Sequence, residues 1–231
     1  MPLPLNAPFI AHQAMGEINP NLASQYVTVI EFLSHYPEAA SAMRGKNSPS
    51  IGSVEYIERQ AEAFALARNP RAPQAPATIP DAMVSVILHA YFDIPIQQLE
   101  YAKHVHQLAM GAENLVGDLL ERYLASVLEP HGWIWCSGAM VKAVDFILPP
   151  STSGGSWRML QVKNRDNSEN SSSSAIRAGT EIEKWHRTFS KKAGANWSVF
   201  PDERLKTELS EENFERFVRT YLHAIRQQQQ S

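Results

Sequence analysis

The chain has 231 residues, 44% hydrophobic and 19% charged, the composition of a globular protein large enough for a sizeable core. That excludes a disordered chain, and no run nears the ~18 apolar residues a membrane helix needs. The start, MPLPLNAPFIAHQ, lacks the basic and long apolar stretches of a signal peptide, so a cytoplasmic protein is expected. Cys136 is the one cysteine, which leaves no internal disulfide and no cysteine-based zinc site. The net charge of −3 is unevenly spread: residues 1–157 carry −6, residues 158–192 carry +4 and residues 193–231 carry −1. A basic segment on a mildly acidic body matters more for binding a polyanion than the total does.

In chain order, the first 80 residues read as helical. Leu22, Tyr26, Val29, Ile30, Phe32, Leu33 and Tyr36 recur at helical spacing until Pro37. Ser53 caps a second helix, VEYIERQAEAFALAR. Four prolines in NPRAPQAPATIP, residues 69–80, mark a connector and the best boundary in the chain. It separates an N-terminal helical subdomain, 1–80, from a core at 81–231. A helix over 81–91 follows, then helical stretches over 96–109 and 111–128 with Gly111 as a break. After Pro130 the pattern turns to Trp, Ile, Val and Phe, and HGWIWCSGAMVKAVDFILPP and WRMLQVK read as strands around a turn at STSGGS. Ile182, Trp185 and Phe189, three and four apart, predict a helix over 176–189. Trp197 to Phe200 reads as a short strand, and 210–226 as an amphipathic helix. The expected fold class is α/β.

Chemistry concentrates in three polar residues among apolar strands. Asp145 lies in VDFIL; Gln161 and Lys163, two apart in WRMLQVK, share one strand face. Burying them is costly unless they pair or hold a metal. A carboxylate that holds Mg²⁺ beside an ammonium suits phosphodiester hydrolysis, because the metal polarises the phosphate and lowers the pKa of its water.

This arrangement over about residues 111–190 resembles the PD-(D/E)xK nuclease superfamily, which includes many type II restriction endonucleases. The resemblance implies a restriction-endonuclease-like core, a mixed sheet flanked by helices, with Asp145, Gln161 and Lys163 catalytic. Two departures stand out: Val144 replaces the motif's proline, and Gln161 replaces its usual acid, supplying an oxygen without charge. The family's helix commonly presents a glutamate to the metal, which points to Glu121 as a further catalytic and metal residue. Glu113, eight residues earlier on about the same face, is the reserve. The metal set implied is therefore Asp145, Gln161, Glu121 and Glu113, with Mg²⁺ as cofactor.

Beyond Lys163 the chain is rich in side chains that read base edges or clamp phosphates: Asn164, Arg165, Asp166, Asn167, Asn170, Ser171 and Arg177, then Lys184, Arg187, Lys191 and Lys192. The run VKNRDNSENSSSSAIRAGTEIEKWHR looks like the SinI-type restriction enzymes, which implies a short two-fold symmetric site of the form GG(A/T)CC. The function expected is a type II restriction endonuclease that cuts double-stranded DNA at a G·C-rich site as a homodimer. The rivals are a structure-reading repair nuclease, a DNA-binding protein with an inactive nuclease core, and a helical interaction module. His104, His106, His131, His186 and His223 lack metal-pair spacing, and Cys136 and the tryptophans read as core.

Overall fold

The computed structural model describes residues 2–166 and 181–230. Three helices, α1 (Ala7–Ile18), α2 (Ala23–His35) and α3 (Val54–Ala67), open the chain. The first enters through Pro8 in its first turn, where a missing N–H costs nothing, and its apolar face went unassigned in the sequence. Ser53 caps α3 by accepting from Tyr56 N at 3.1 Å. Residues 70–81 carry neither helix nor strand, as the prolines require. Helix α4 (Ala82–Ala90) and the 30-residue α5 (Leu99–Leu128) follow.

Helix α5 runs unbroken through Gly111, contrary to the predicted break. The glycine serves close approach instead: a Cβ there would lie 2.7 Å from the Gln74 carbonyl oxygen of the connector.

The sheet has four strands in the order β1 (Ile134–Trp135), β2 (Phe146–Leu148), β3 (Arg158–Arg165), β4 (Ile182–Thr188). The first two pairings are antiparallel; β3 and β4 run parallel, with Gln161 opposite Lys184 and Lys163 opposite His186. A helical turn, α6 (Pro150–Ser153), joins β2 to β3, and α7 (Glu211–Gln228), capped by Ser210, closes the described chain. This is the mixed α/β sheet flanked by helices that the sequence implied.

Two sequence expectations are corrected here. The described part of the predicted 176–189 helix is strand β4. Its apolar residues recur every three because both faces of the strand are covered: Ile182 packs toward the N-terminal helices, Trp185 toward α5 and α7. Periodicity cannot separate that pattern from a helix. Trp197–Val199 forms a 3₁₀ turn rather than a strand. Its Trp197 is buried and donates from Nε1 to Glu211 at 2.8 Å, anchoring the turn to the start of α7.

Each sheet face has its own core. Tyr26, Phe32, Tyr56 and Phe64 of the N-terminal helices bury against Val144, Ile147, Trp157 and Met159. On the other face, Leu120, Leu124 and Phe214 meet Phe146, Leu160, Val162 and Trp185. The second core is closed by Asp202, which accepts from the fully buried Trp133 Nε1 at 3.0 Å and from Arg204 at 2.6 Å. The Arg204 hydrogen bonds, helped by Trp133, hold the Asp202 carboxyl well below the usual carboxylate range. Asp202→Ala should cost about 1–3 kcal/mol, because it strands the Trp133 donor in the core. Since the folded-state pKa is depressed, the wild-type advantage is fully present above the ordinary carboxylate range and is lost progressively as pH falls from there through the lowered folded-state value. Urea midpoints of both proteins at neutral and acidic pH check this; equal midpoints at neutral pH would contradict it.

Candidate active site

Asp145 stands just before β2, its N–H donating to Leu160 O at 2.9 Å and its Oδ2 accepting from Val162 N at 2.7 Å. Both bonds pin the carboxylate to β3 between Gln161 and Lys163. Strand alternation puts Gln161 and Lys163 on one face, and Gln161 is 1% exposed. Among the described residues its buried Oε1 has no hydrogen-bond partner. An orphaned buried acceptor is costly, so a cation or donor belongs beside it.

Helix α5 brings Glu121 to the same place. Its Oε2 accepts from Trp135 Nε1 at 3.0 Å. Burial, and then the negative charge of Asp145, push the Glu121 carboxyl up to about 8, against the weaker pull of Trp135 and Lys163. Burial also raises Asp145, opposed by the Val162 N–H and the Lys163 ammonium. Two carboxylates both raised by burial, one of them further raised by the charge of the other, form a site short of positive charge.

Of this group Glu121 and Lys163 line a cleft of about 560 Å³, together with Glu113, Asn164, Arg165 and Arg187, while Gln161 is buried behind it. Glu113 and Glu121 therefore share the cleft, as a spacing of two helical turns predicts.

Among the described residues no three His, Cys, Asp or Glu side chains form a metal-holding cluster. The donor set is mixed: two carboxylates and the Gln161 amide oxygen. All are hard oxygen donors, and the partnerless Oε1 and the raised carboxylates both call for a cation. These residues fit a hard divalent ion.

Comparison with known proteins assigns the chain. The family model described as SinI restriction endonuclease matches residues 7–224. The chain belongs to that family. It is 52% identical to the type II restriction enzyme Eco47I of Escherichia coli over 221 residues, covering 95% of this chain and 96% of that protein. It is 50% identical to the type II restriction enzyme SinI of Salmonella infantis over 222 residues, covering 96% of each.

Within this family member, the basic residues separate by environment. Arg165 lines the cleft near the end of β3. Lys191 and Lys192 are exposed beyond β4, with Lys192 Nζ 3.8 Å from the Phe189 ring centre. Arg187 also lines the cleft, but it donates to Asn164 Oδ1 at 3.0 Å and pairs with Glu211. Asp166 Oδ1 accepts from Ser190 N at 2.8 Å, bracing the turn after β3 against the end of β4. Lys184 sits opposite Gln161 in the β3–β4 ladder. Asn167, Asn170, Ser171 and Arg177 lie outside the described residues.

The sequence reading missed the support behind Glu121. Trp135, assigned to the core, is buried and also holds the Glu121 carboxylate. Its own backbone N–H donates to Glu129 Oε1 at 3.2 Å, and its carbonyl accepts from Arg68 at 2.9 Å. Arg68 in turn pairs with Glu129 at 2.7 Å. Arg122, 7% exposed, ties Asp118 to the carbonyls of Ala67 and Arg68 at the end of α3. One signal was available: a buried indole N–H needs an acceptor, and Glu121 and Trp135 flank the same turn.

Proposed function

We propose that this type II restriction endonuclease hydrolyses both strands of double-stranded DNA at the Glu121–Asp145–Gln161–Lys163 cluster, with Mg²⁺ as its metal. The enzyme class follows from family membership; the residue roles rest on the orphaned Gln161 oxygen beside two buried carboxylates and an ammonium. Asp145, Glu121 and Gln161 would hold the ion, with Glu113 on the wall of the same cleft. Bound there, Mg²⁺ supplies Lewis-acid polarisation of the phosphate and a water of lowered pKa.

The chain's own groups do the rest. Val162 N–H and Trp135 Nε1 fix the two carboxylates so that no reorganisation is needed during reaction. The Lys163 ammonium faces developing negative charge and orients the attacking water. Without metal, burial and the charge of Asp145 favour the protonated form of Glu121 well above the usual carboxylate range. Occupation by a dication therefore releases a proton and strengthens with pH.

Recognition is assigned to the basic surface around the cleft. Arg165 suits a guanine edge and Lys191 and Lys192 suit phosphates, which fits a G·C-rich, two-fold symmetric site of the GG(A/T)CC form. Cutting both strands calls for a homodimer. The test is incubation of the full chain with plasmid DNA, with Mg²⁺ or with EDTA. Discrete fragments in Mg²⁺ alone are expected. A smear would favour a structure-reading nuclease, and a mobility shift without cleavage an inactive core.

A further inference from the structure

Helix α4 and the first half of α5 bury nothing, although their sequence is strongly apolar. No residue from 65 to 110 is buried, and α4 reads AMVSVILHA. Twelve of the eighteen large apolar side chains that stand exposed among the described residues lie between Ile79 and Met110. They include Tyr91 at 78% and Tyr101 at 72% exposure, with Met83, Ile87, Phe92 and Ile96 beside them. Between α4 and α5 runs a groove of about 460 Å³ lined by Val84, Leu88, Ala102 and Met110. A helix this apolar around its circumference is stable when covered, because a helical hairpin without a packed face is marginal in water.

We propose that this hairpin is the interface with a second copy of the same chain, formed as an isologous two-fold contact. Four observations select that occupant. The stretch from Ile79 to Met110 is 32 residues, matching the roughly 20–30 residues that each partner gives to a standard interface of about 800 Å² per side. Its composition is that of an interface centre, rich in Met, Tyr and Phe. Four of its residues are charged, Asp81, Asp93, Glu100 and Lys103, and Lys103 is paired with Glu100 at 2.6 Å, so two such faces meet with little charge to desolvate. Finally, each chain holds one candidate catalytic group, and a duplex has two strands. A two-fold contact through one surface supplies the second group without needing any other surface.

Continuity strengthens the assignment. Helix α5 carries Tyr101 in the apolar face and Glu121 in the cleft, twenty residues apart on one unbroken helix. That is about 30 Å of rigid rod, so the contact would set the separation of the two cleavage centres. The choice of occupant rests on the nuclease reading above; the uncovered apolar face does not.

The experiment is sedimentation velocity of the full chain at micromolar concentration, with and without duplex DNA. The wild type should sediment at twice the 25.8 kDa chain mass. The double variant Val86→Asp/Ile87→Asp should fall to half that mass with unchanged circular dichroism, since neither side chain is buried. Tyr101→Asp/Val105→Asp on α5 makes the same test from the other helix. Hydrogen exchange of the wild-type chain locates the contact without any substitution: amides of α4 and early α5 should lose protection on dilution to nanomolar concentration. A wild-type monomer, a folded variant that stays dimeric, or exchange in α4 unchanged by dilution would each overturn the proposal. A wild-type dimer that cuts no DNA would sink the nuclease reading and leave the interface standing.

Discussion

Asp145→Asn and Lys163→Ala are each expected to reduce double-strand cleavage below a few per cent of wild type while DNA binding persists. Asparagine keeps an oxygen to accept from Val162 N–H, so the strand contact at 2.7 Å survives and the loss reports the missing charge. Alanine at Lys163 removes the one ammonium whose field lowers both Asp145 and Glu121. Affinity should hold because phosphate and base contacts lie mostly outside these two residues. A stability readout separates this from misfolding. Burial raises the folded-state pKa of Asp145, so the metal-free protein binds more protons folded than unfolded and loses stability as pH rises above the ordinary carboxylate range. Asp145→Asn removes that penalty and should melt higher than wild type in EDTA at neutral pH. Cleavage by Lys163→Ala above a few per cent would remove the lysine from the mechanism, and a lower melting temperature for Asp145→Asn would remove the electrostatic argument.

Gln161→Ala should be severely damaging, and Gln161→Glu should retain cleavage. The glutamine oxygen is buried and, among the described residues, has no partner, so its removal takes away an oxygen that satisfies nothing else there. A purely structural glutamine would show the opposite order, because an added carboxylate beside two raised ones destabilises the protein unless a cation offsets it. Magnesium titration of cleavage distinguishes the cases. Alanine should move the half-maximal concentration upward, and glutamate should move it down. Glutamate should also be the variant whose melting temperature responds most to added Mg²⁺, since metal binding to the folded state alone stabilises it. Full activity in Gln161→Ala would leave Asp145 and Glu121 as the metal-holding pair.

Much of this protein was determined by local sequence. Ser53 before one amphipathic run and the apolar period over 210–226 made α3 and α7 legible, and prolines between 69 and 80 required a segment without regular structure. Asp145, Gln161 and Lys163 stood out because polar groups among apolar strand residues are expensive and must have a purpose. Other features were decided by tertiary structure. Strand β4 reads like a helix because its neighbours cover both faces, a fact held by α5, α7 and the N-terminal helices rather than by residues 182–188 themselves. Gly111 looks like a helix breaker until the connector is seen pressing against it, and packing then overrides its low helix propensity. Trp135 became a support for Glu121, and Arg187 an internal tie to Asn164 and Glu211, through partners 14, 23 and 24 residues away. Spacing along a chain sets which side chains share a face. Which of those faces meet depends on free energies of burial and hydrogen bonding that belong to the whole fold.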